Sequence, residues 1–164
     1  MCLVSQNAIL TKDNLIKRKW KGDKTCAFCT EDESGQHIFF ECLTTKYIWS
    51  LLGYSLGVDC RPSNMDQYWV WVSKFLPQPT NACCWAIWRS RNSVCFEDKR
   101  IKSPTEIVCM ICSFLTYWTG LLKEDLKNQV IQGADAVKMA ALSFHKQGQQ
   151  ACAREEHQLV PYAG

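Results

Sequence analysis

The chain has 164 residues, a formal net charge of +3, and 47% hydrophobic and 12% aromatic content, with seven tryptophans. That length suits one domain or a compact domain with an appendage, and so much apolar material excludes disorder throughout. A charge this small assigns no partner; only its distribution along the chain is informative.

Thr11-Lys12-Asp13-Asn14 opens a short helix, with Thr11 as the cap and Leu15, Ile16 and Trp20 on the apolar side. Gly22-Asp23 is a turn into a cysteine-rich stretch, residues 26–42. Beyond it Tyr47, Ile48, Leu51 and Leu52 recur at helical spacing, Gly53 is expected to end that helix, and residues 53–63 form the longest loop. Met65, Trp69, Val72 and Leu76 share one helix face, broken by Pro77 and Pro79, and Cys84, Trp88, Arg91 and Cys95 repeat the spacing. Ser103-Pro104-Thr105-Glu106 is a strong helix start, with Ser103 as cap and Pro104 at the first helical position. Ile107, Ile111, Phe114, Trp118 and Leu121 line that helix, and Leu126, Val130, Val137, Ala141 and Phe144 line a last amphipathic stretch. From Gln147 the chain is rich in Gln, Ala and Gly without a clear period and is expected to fray.

The stretch 26–42 spaces Cys26-x2-Cys29-x7-His37-x4-Cys42. A tight turn can place the first two sulfurs on one side, and His37 with Cys42 can then close a tetrahedron around Zn2+, whose preferred ligands are thiolate and imidazole. Four protein ligands leave no open position, which makes the expected site structural rather than catalytic. Two other readings compete. A thioredoxin-like Cys26–Cys29 pair wants a helix starting at the first cysteine, whereas Thr30-Glu31-Asp32-Glu33-Ser34-Gly35 reads as an acidic loop. A purely hydrophobic role suits neither His37 nor so polar a loop. The metal reading is preferred.

Eleven cysteines in all would suggest disulfides in a secreted chain, with at least one left over. The first ten residues, however, lack a basic n-region and an unbroken apolar run, and the longest nearly apolar run, Ile107 to Trp118, falls short of the ~20 residues of a membrane span. A nuclear or cytoplasmic, non-secreted setting and no membrane partner are therefore expected. Cys83, Cys84, Cys95, Cys109 and Cys112 are read as small core residues, and His145 and His157 as surface histidines. The fold class is mostly α: a small zinc-knuckle hairpin or loop followed by a bundle of about four to five helices. The expected organisation is a zinc-binding module over 8–54, a helical region over 64–146 packing on it, and a disordered tail over 147–164.

Thr11-Lys12-Asp13-Asn14-Leu15, Cys26-Ala27-Phe28-Cys29, His37-Ile38-Phe39-Phe40-Glu41-Cys42 and Tyr47-Ile48-Trp49, in that order, resemble the zinc-binding domain of plant reverse transcriptases. That domain lies near the C-terminus of LINE-type (non-LTR) retrotransposon polyproteins. Cys84-Trp85-Ala86-Ile87-Trp88-Arg89-Ser90-Arg91-Asn92 and Phe96-Glu97 resemble the segment that often follows it, so the likeness covers residues 8–122. It implies structural zinc on Cys26, Cys29, His37 and Cys42. Thr30 and Leu43 depart from the family's common glycine and proline, and the chain starts partway into the family domain, as a truncated copy would. No Asp-Asp pair occurs, and no spaced acidic set suggests a ribonuclease H, so no catalysis and no small-molecule substrate are expected.

RNA or single-stranded DNA is the expected partner. Lys12, Lys17, Arg18, Lys19, Lys21 and Lys24, set against Asp13 and Asp23, form a basic group, and within it Trp20 is an indole that can stack an unpaired base. The lysines can equally be a solvated face and Trp20 core. Glu31, Asp32, Glu33 and Glu41 give the knuckle a charge that repels phosphate, so the preceding basic helix, not the knuckle, is expected to touch nucleic acid. A second basic group, Arg89, Arg91, Lys99, Arg100 and Lys102, is diluted by Glu97 and Asp98. Arg91 lies on an apolar stripe, and a salt bridge to an acidic residue of a neighbouring helix is expected for it. The rival to a nucleic-acid binder is a structural or protein-interaction module whose zinc and helices only build a surface.

Overall fold

The computed structural model describes residues 8–58, 61–75, 82–101 and 103–158. In chain order these form α1 (Lys12–Lys17), a π turn (His37–Glu41), α2 (Leu43–Ser55), α3 (Met65–Phe75), α4 (Ala82–Phe96), α5 (Pro104–Trp118), a 3-10 turn (Thr119–Leu121) and α6 (Glu124–Gln158). The mostly helical class holds. The one extended pairing among the described residues is an antiparallel bridge between Thr25 and Asp32, at the cysteine-rich stretch.

The core is continuous from that stretch into the helices. Ile38, Phe39 and Phe40 of the π turn, Ile48 and Trp49 of α2, Tyr68 and Trp71 of α3, Ile87 of α4, Ile107 and Ile111 of α5, and Val137 and Ala141 of α6 belong to one buried cluster. Trp49 lies at its centre, stacked on Phe40 with 6.3 Å between ring centroids and meeting Tyr68 and Trp71 at 5.7 and 5.9 Å. Its indole N–H donates to the Phe39 carbonyl at 2.7 Å, satisfying a buried acceptor inside the π turn. α5 packs against α4 and α6, and α2 lies across α5 and α6. No helix among the described residues is long and apolar enough to cross a membrane.

Several local expectations are corrected. Gly53 is buried inside α2 instead of ending it. The stop is Gly57, at φ +64°, whose N–H donates to Tyr54 while Val58 N–H reaches back to the Gly53 carbonyl. That pair of bonds satisfies the last orphan carbonyls, and only glycine takes the left-handed position without strain. On α3 the buried face is Tyr68, Trp71 and Val72, which leaves Trp69 partly in solvent. Leu76, Pro77 and Pro79 lie outside the described residues. Trp118 and Leu121 are exposed because α5 gives way there to the 3-10 turn. α6 runs from Glu124 to Gln158. Gln, Ala, Lys and Arg are good helix formers, and Ala134, Val137 and Ala141 anchor the helix upstream.

Ser103 behaves as expected: its Oγ accepts the Thr105 N–H at 3.0 Å, with Pro104 opening α5. Thr11 does not. Its side chain makes no capping bond, turning instead to Asp13 Oδ1 at 2.5 Å, and the open N–H of Lys12 is taken by Glu33 Oε1 at 2.9 Å. α1 also ends sooner than expected. Lys19, at φ 68°, turns the chain back so that Trp20 N–H donates to the Leu15 carbonyl, which puts Trp20 on the return loop and not on the helix face.

Candidate metal centre

Residues 24–33 form a short reversal held by backbone bonds from Cys26 N–H to the Glu31 carbonyl (2.7 Å) and from Glu33 N–H to the Lys24 carbonyl (2.8 Å). Asp23 Oδ1 accepts both the backbone N–H and the hydroxyl of Thr25, at 3.0 and 2.7 Å, which sets the entry. Inside the reversal Phe28 N–H donates to Cys26 Sγ at 3.4 Å, a bond that favours charge on sulfur. The spacing Cys-x2-Cys thus presents both sulfurs to one side.

His37 and Cys42 arrive by a different route. Five positions apart on an α-helix, two side chains differ by about 140° around the axis and cannot meet. Here the Cys42 N–H donates to the His37 carbonyl at 2.8 Å, closing the wider i→i+5 turn that returns Cys42 to the side of His37. Ser34 Oγ starts the turn by accepting the His37 N–H at 3.0 Å. Cys42 is also the residue preceding α2; Thr45 Oγ1 donates to its carbonyl at 2.9 Å, and its sulfur faces the first amides of the helix.

The reversal and the π turn bring one ligand atom each from Cys26, Cys29, His37 and Cys42 to within 4.8 Å of one another. Cys29 Sγ and His37 Nε2 are 3.1 Å apart. Tetrahedral zinc, with Zn–S about 2.3 Å and Zn–N about 2.0 Å, asks for sulfur–sulfur separations near ~3.8 Å and sulfur–nitrogen separations near ~3.5 Å. The donor set fits that ion in kind, number and spacing. Cys26, His37 and Cys42 are buried and Cys29 is partly covered, so water is largely excluded.

The electrostatics of the cluster favour a cation. Cys42 is lowered to about 5, chiefly by the hydrogen bond from the Cys26 thiol and also by the backbone N–H groups of Thr44 and Thr45. Cys26 is pushed up, first by that same bond and then by burial, and Cys29 is pushed up chiefly by burial. Crowded sulfurs in a half-dry pocket cannot all ionise unless something positive replaces their protons. The geometry also departs from a thioredoxin-like pair: Cys26 lies in a hydrogen-bonded reversal with no helix starting at it, and the helix N-terminus is at Cys42 instead. The described cysteines carry no disulfide.

Sequence reasoning missed the partner of Arg91. The guanidinium is wholly buried and grips Glu33, with Nε 3.1 Å from both carboxylate oxygens and Nη2 2.6 Å from Oε1. The carboxylate therefore comes from the knuckle and not from a neighbouring helix. Glu33 is then no phosphate-repelling surface charge: it joins the metal loop, the N-terminus of α1 and the middle of α4. Arg91 also lies over the rings of Trp88 and Phe96, at 5.0 and 5.5 Å, and donates to Asn92 Oδ1 at 2.9 Å. The only hints in sequence were a charge on an apolar stripe and an acidic loop elsewhere.

The basic group is spread along the end of α1 and the return loop. Lys17 pairs with Asp13 at 3.4 Å and Lys24 with Asp32 at 3.6 Å, while Arg18, Lys19 and Lys21 are exposed with no ion pair among the described residues. Trp20 is 40% exposed. In the second group Arg89 covers the Trp85 ring, Lys99 pairs with Glu97, and Lys102 lies outside the described residues. Cys83, Cys84 and Cys112 are core residues, Cys95 and Cys109 half-buried.

No curated protein and no solved structure matches the chain. Residues 1–49, the segment that holds all four clustered ligands, match the protein-family model described as zinc-binding in reverse transcriptase.

Proposed function

We propose that the chain is a non-catalytic module in which Cys26, Cys29, His37 and Cys42 hold one structural Zn2+, derived from the reverse transcriptase of a plant LINE-type (non-LTR) retrotransposon and working in the nucleus or cytoplasm. The observation that carries the metal reading is the convergence of the four ligand atoms within 4.8 Å. Bound zinc would tie the reversal to the start of α2 and leave no coordination position for substrate. Protein purified without added metal should contain about one zinc per chain, with Cys42→Ser losing most of it; a folded, metal-free protein overturns the proposal.

The module's partner on this reading is RNA or single-stranded DNA, bound with little sequence preference through Lys17, Arg18, Lys19, Trp20, Lys21 and Lys24. What supports it is the exposure of Arg18, Lys19 and Lys21, without ion pairs among the described residues, next in sequence to a half-open indole. Releasing counterions from three such contacts gives a log–log salt slope of roughly −2 on a single strand. A second reading, a zinc-built surface for protein contacts alone, is favoured by the pairing of Lys17 and Lys24 with Asp13 and Asp32. Filter binding across a salt series separates the two, since the second predicts no retention at any salt.

A further inference from the structure

A cavity of about 220 Å³ opens beside the return loop, lined by Trp20 and Phe96 together with Leu15, Cys95, Arg91, Lys12 and Asp23. Its aromatic walls come from sequence positions far apart and are exposed, Phe96 to 69%. The six-membered ring of Trp20 packs against Gly22, where a methyl group would fall 1.8 Å from a ring carbon.

The charged groups of the cavity have partners. Arg91 is neutralised by Glu33, and Lys12 Nζ donates to the Thr25 carbonyl at 2.5 Å with Asp23 at 3.8 Å. A phosphate entering would find no free cation inside. Arg18, Lys19 and Lys21, without ion pairs among the described residues, follow α1 towards Trp20 and do not line the cavity. Aromatic side chains lining the cavity, with Arg18, Lys19 and Lys21 outside it, suit a planar base inside and its phosphodiester outside.

Resting on the nucleic-acid reading above, we propose that the cavity between Trp20 and Phe96 is a slot for one unpaired base of a single strand, whose flanking phosphates meet Arg18, Lys19 and Lys21. Stacking on aromatic side chains is sequence-tolerant, so the slot discriminates weakly between bases.

The test uses the full zinc-loaded chain, a fluorescently labelled single-stranded oligonucleotide, and an abasic strand of equal length and charge, compared by anisotropy. Trp20→Ala and Phe96→Ala should each weaken binding of the base-bearing strand about 5-fold or more, leave its salt slope unchanged, and leave the abasic strand unaffected. Trp20→Tyr, which keeps a stacking ring, should restore most of the affinity, and zinc content and far-UV circular dichroism show that each variant is folded. A combined Arg18→Glu, Lys19→Glu, Lys21→Glu variant should lose both strands. If both strands bind the native protein equally and neither aromatic substitution matters, the slot is wrong while the basic surface stands. If the native protein retains no strand at low salt, the slot and the nucleic-acid reading fail together.

Discussion

Glu33 shows how much one side chain can organise. It is buried, it accepts from the Lys12 amide, and it forms a bidentate pair with Arg91. Burying two charges is costly, so such a pair is weak evidence of net stability, but breaking it is severe because the remaining charge has no partner. Glu33→Gln should therefore cost about 3–5 kcal/mol in urea unfolding, and Glu33→Leu combined with Arg91→Met much less than the sum of the two single changes. Additive losses would mean the two residues do not act as a unit. Arg91 was visible in sequence as a charge in need of a partner, because its stripe is otherwise apolar. Glu33 was not. It sits in an acidic run that looks uniformly solvated, and nothing local says which of its carboxylates folds inward.

At the level of single elements the same contrast recurs. The four ligands were legible because their spacing is local and their chemistry narrow; the device that makes His37-x4-Cys42 work, a π turn, was not, since no propensity marks it. Ser103-Pro104 announced the start of α5 correctly, whereas Gly53 was mistaken for a stop. A glycine ends a helix through its φ, not its identity, and φ +64° belongs to Gly57. Two substitutions isolate that effect. At Gly57 a methyl group would touch nothing within 4 Å, so Gly57→Ala carries only backbone strain and should cost about 1–2 kcal/mol. Gly120→Ala, equally open but not at a positive φ, should be neutral or slightly stabilising. Equal effects at both sites would remove the left-handed cap from the account of α2.

The whole molecule raises the question of how far zinc reaches. Metal-binding energy in small modules of this kind is about 10–16 kcal/mol and appears as folding energy. Two connections carry it beyond the knuckle: the ring cluster of Phe40, Trp49, Tyr68 and Trp71, and the Glu33–Arg91 pair leading into α4. Because α2 to α6 share one buried cluster with the cysteine-rich loop, the loop cannot melt without opening that cluster. Removing zinc with a chelator should therefore lower the thermal midpoint of the entire helical signal by ~10 °C or more, in one transition, since each kcal/mol is worth about 2–4 °C in a chain of this size. In the Glu33→Leu, Arg91→Met double variant one connection is gone, and the same chelator should shift the helical transition less. A helical signal that melts at the same temperature with and without metal, in a protein shown to have bound it, would mean that the knuckle is an attachment and not part of the core. The ring cluster around Trp49 argues for the opposite result, because its indole N–H is held by the carbonyl of Phe39, within the very turn that links His37 to Cys42.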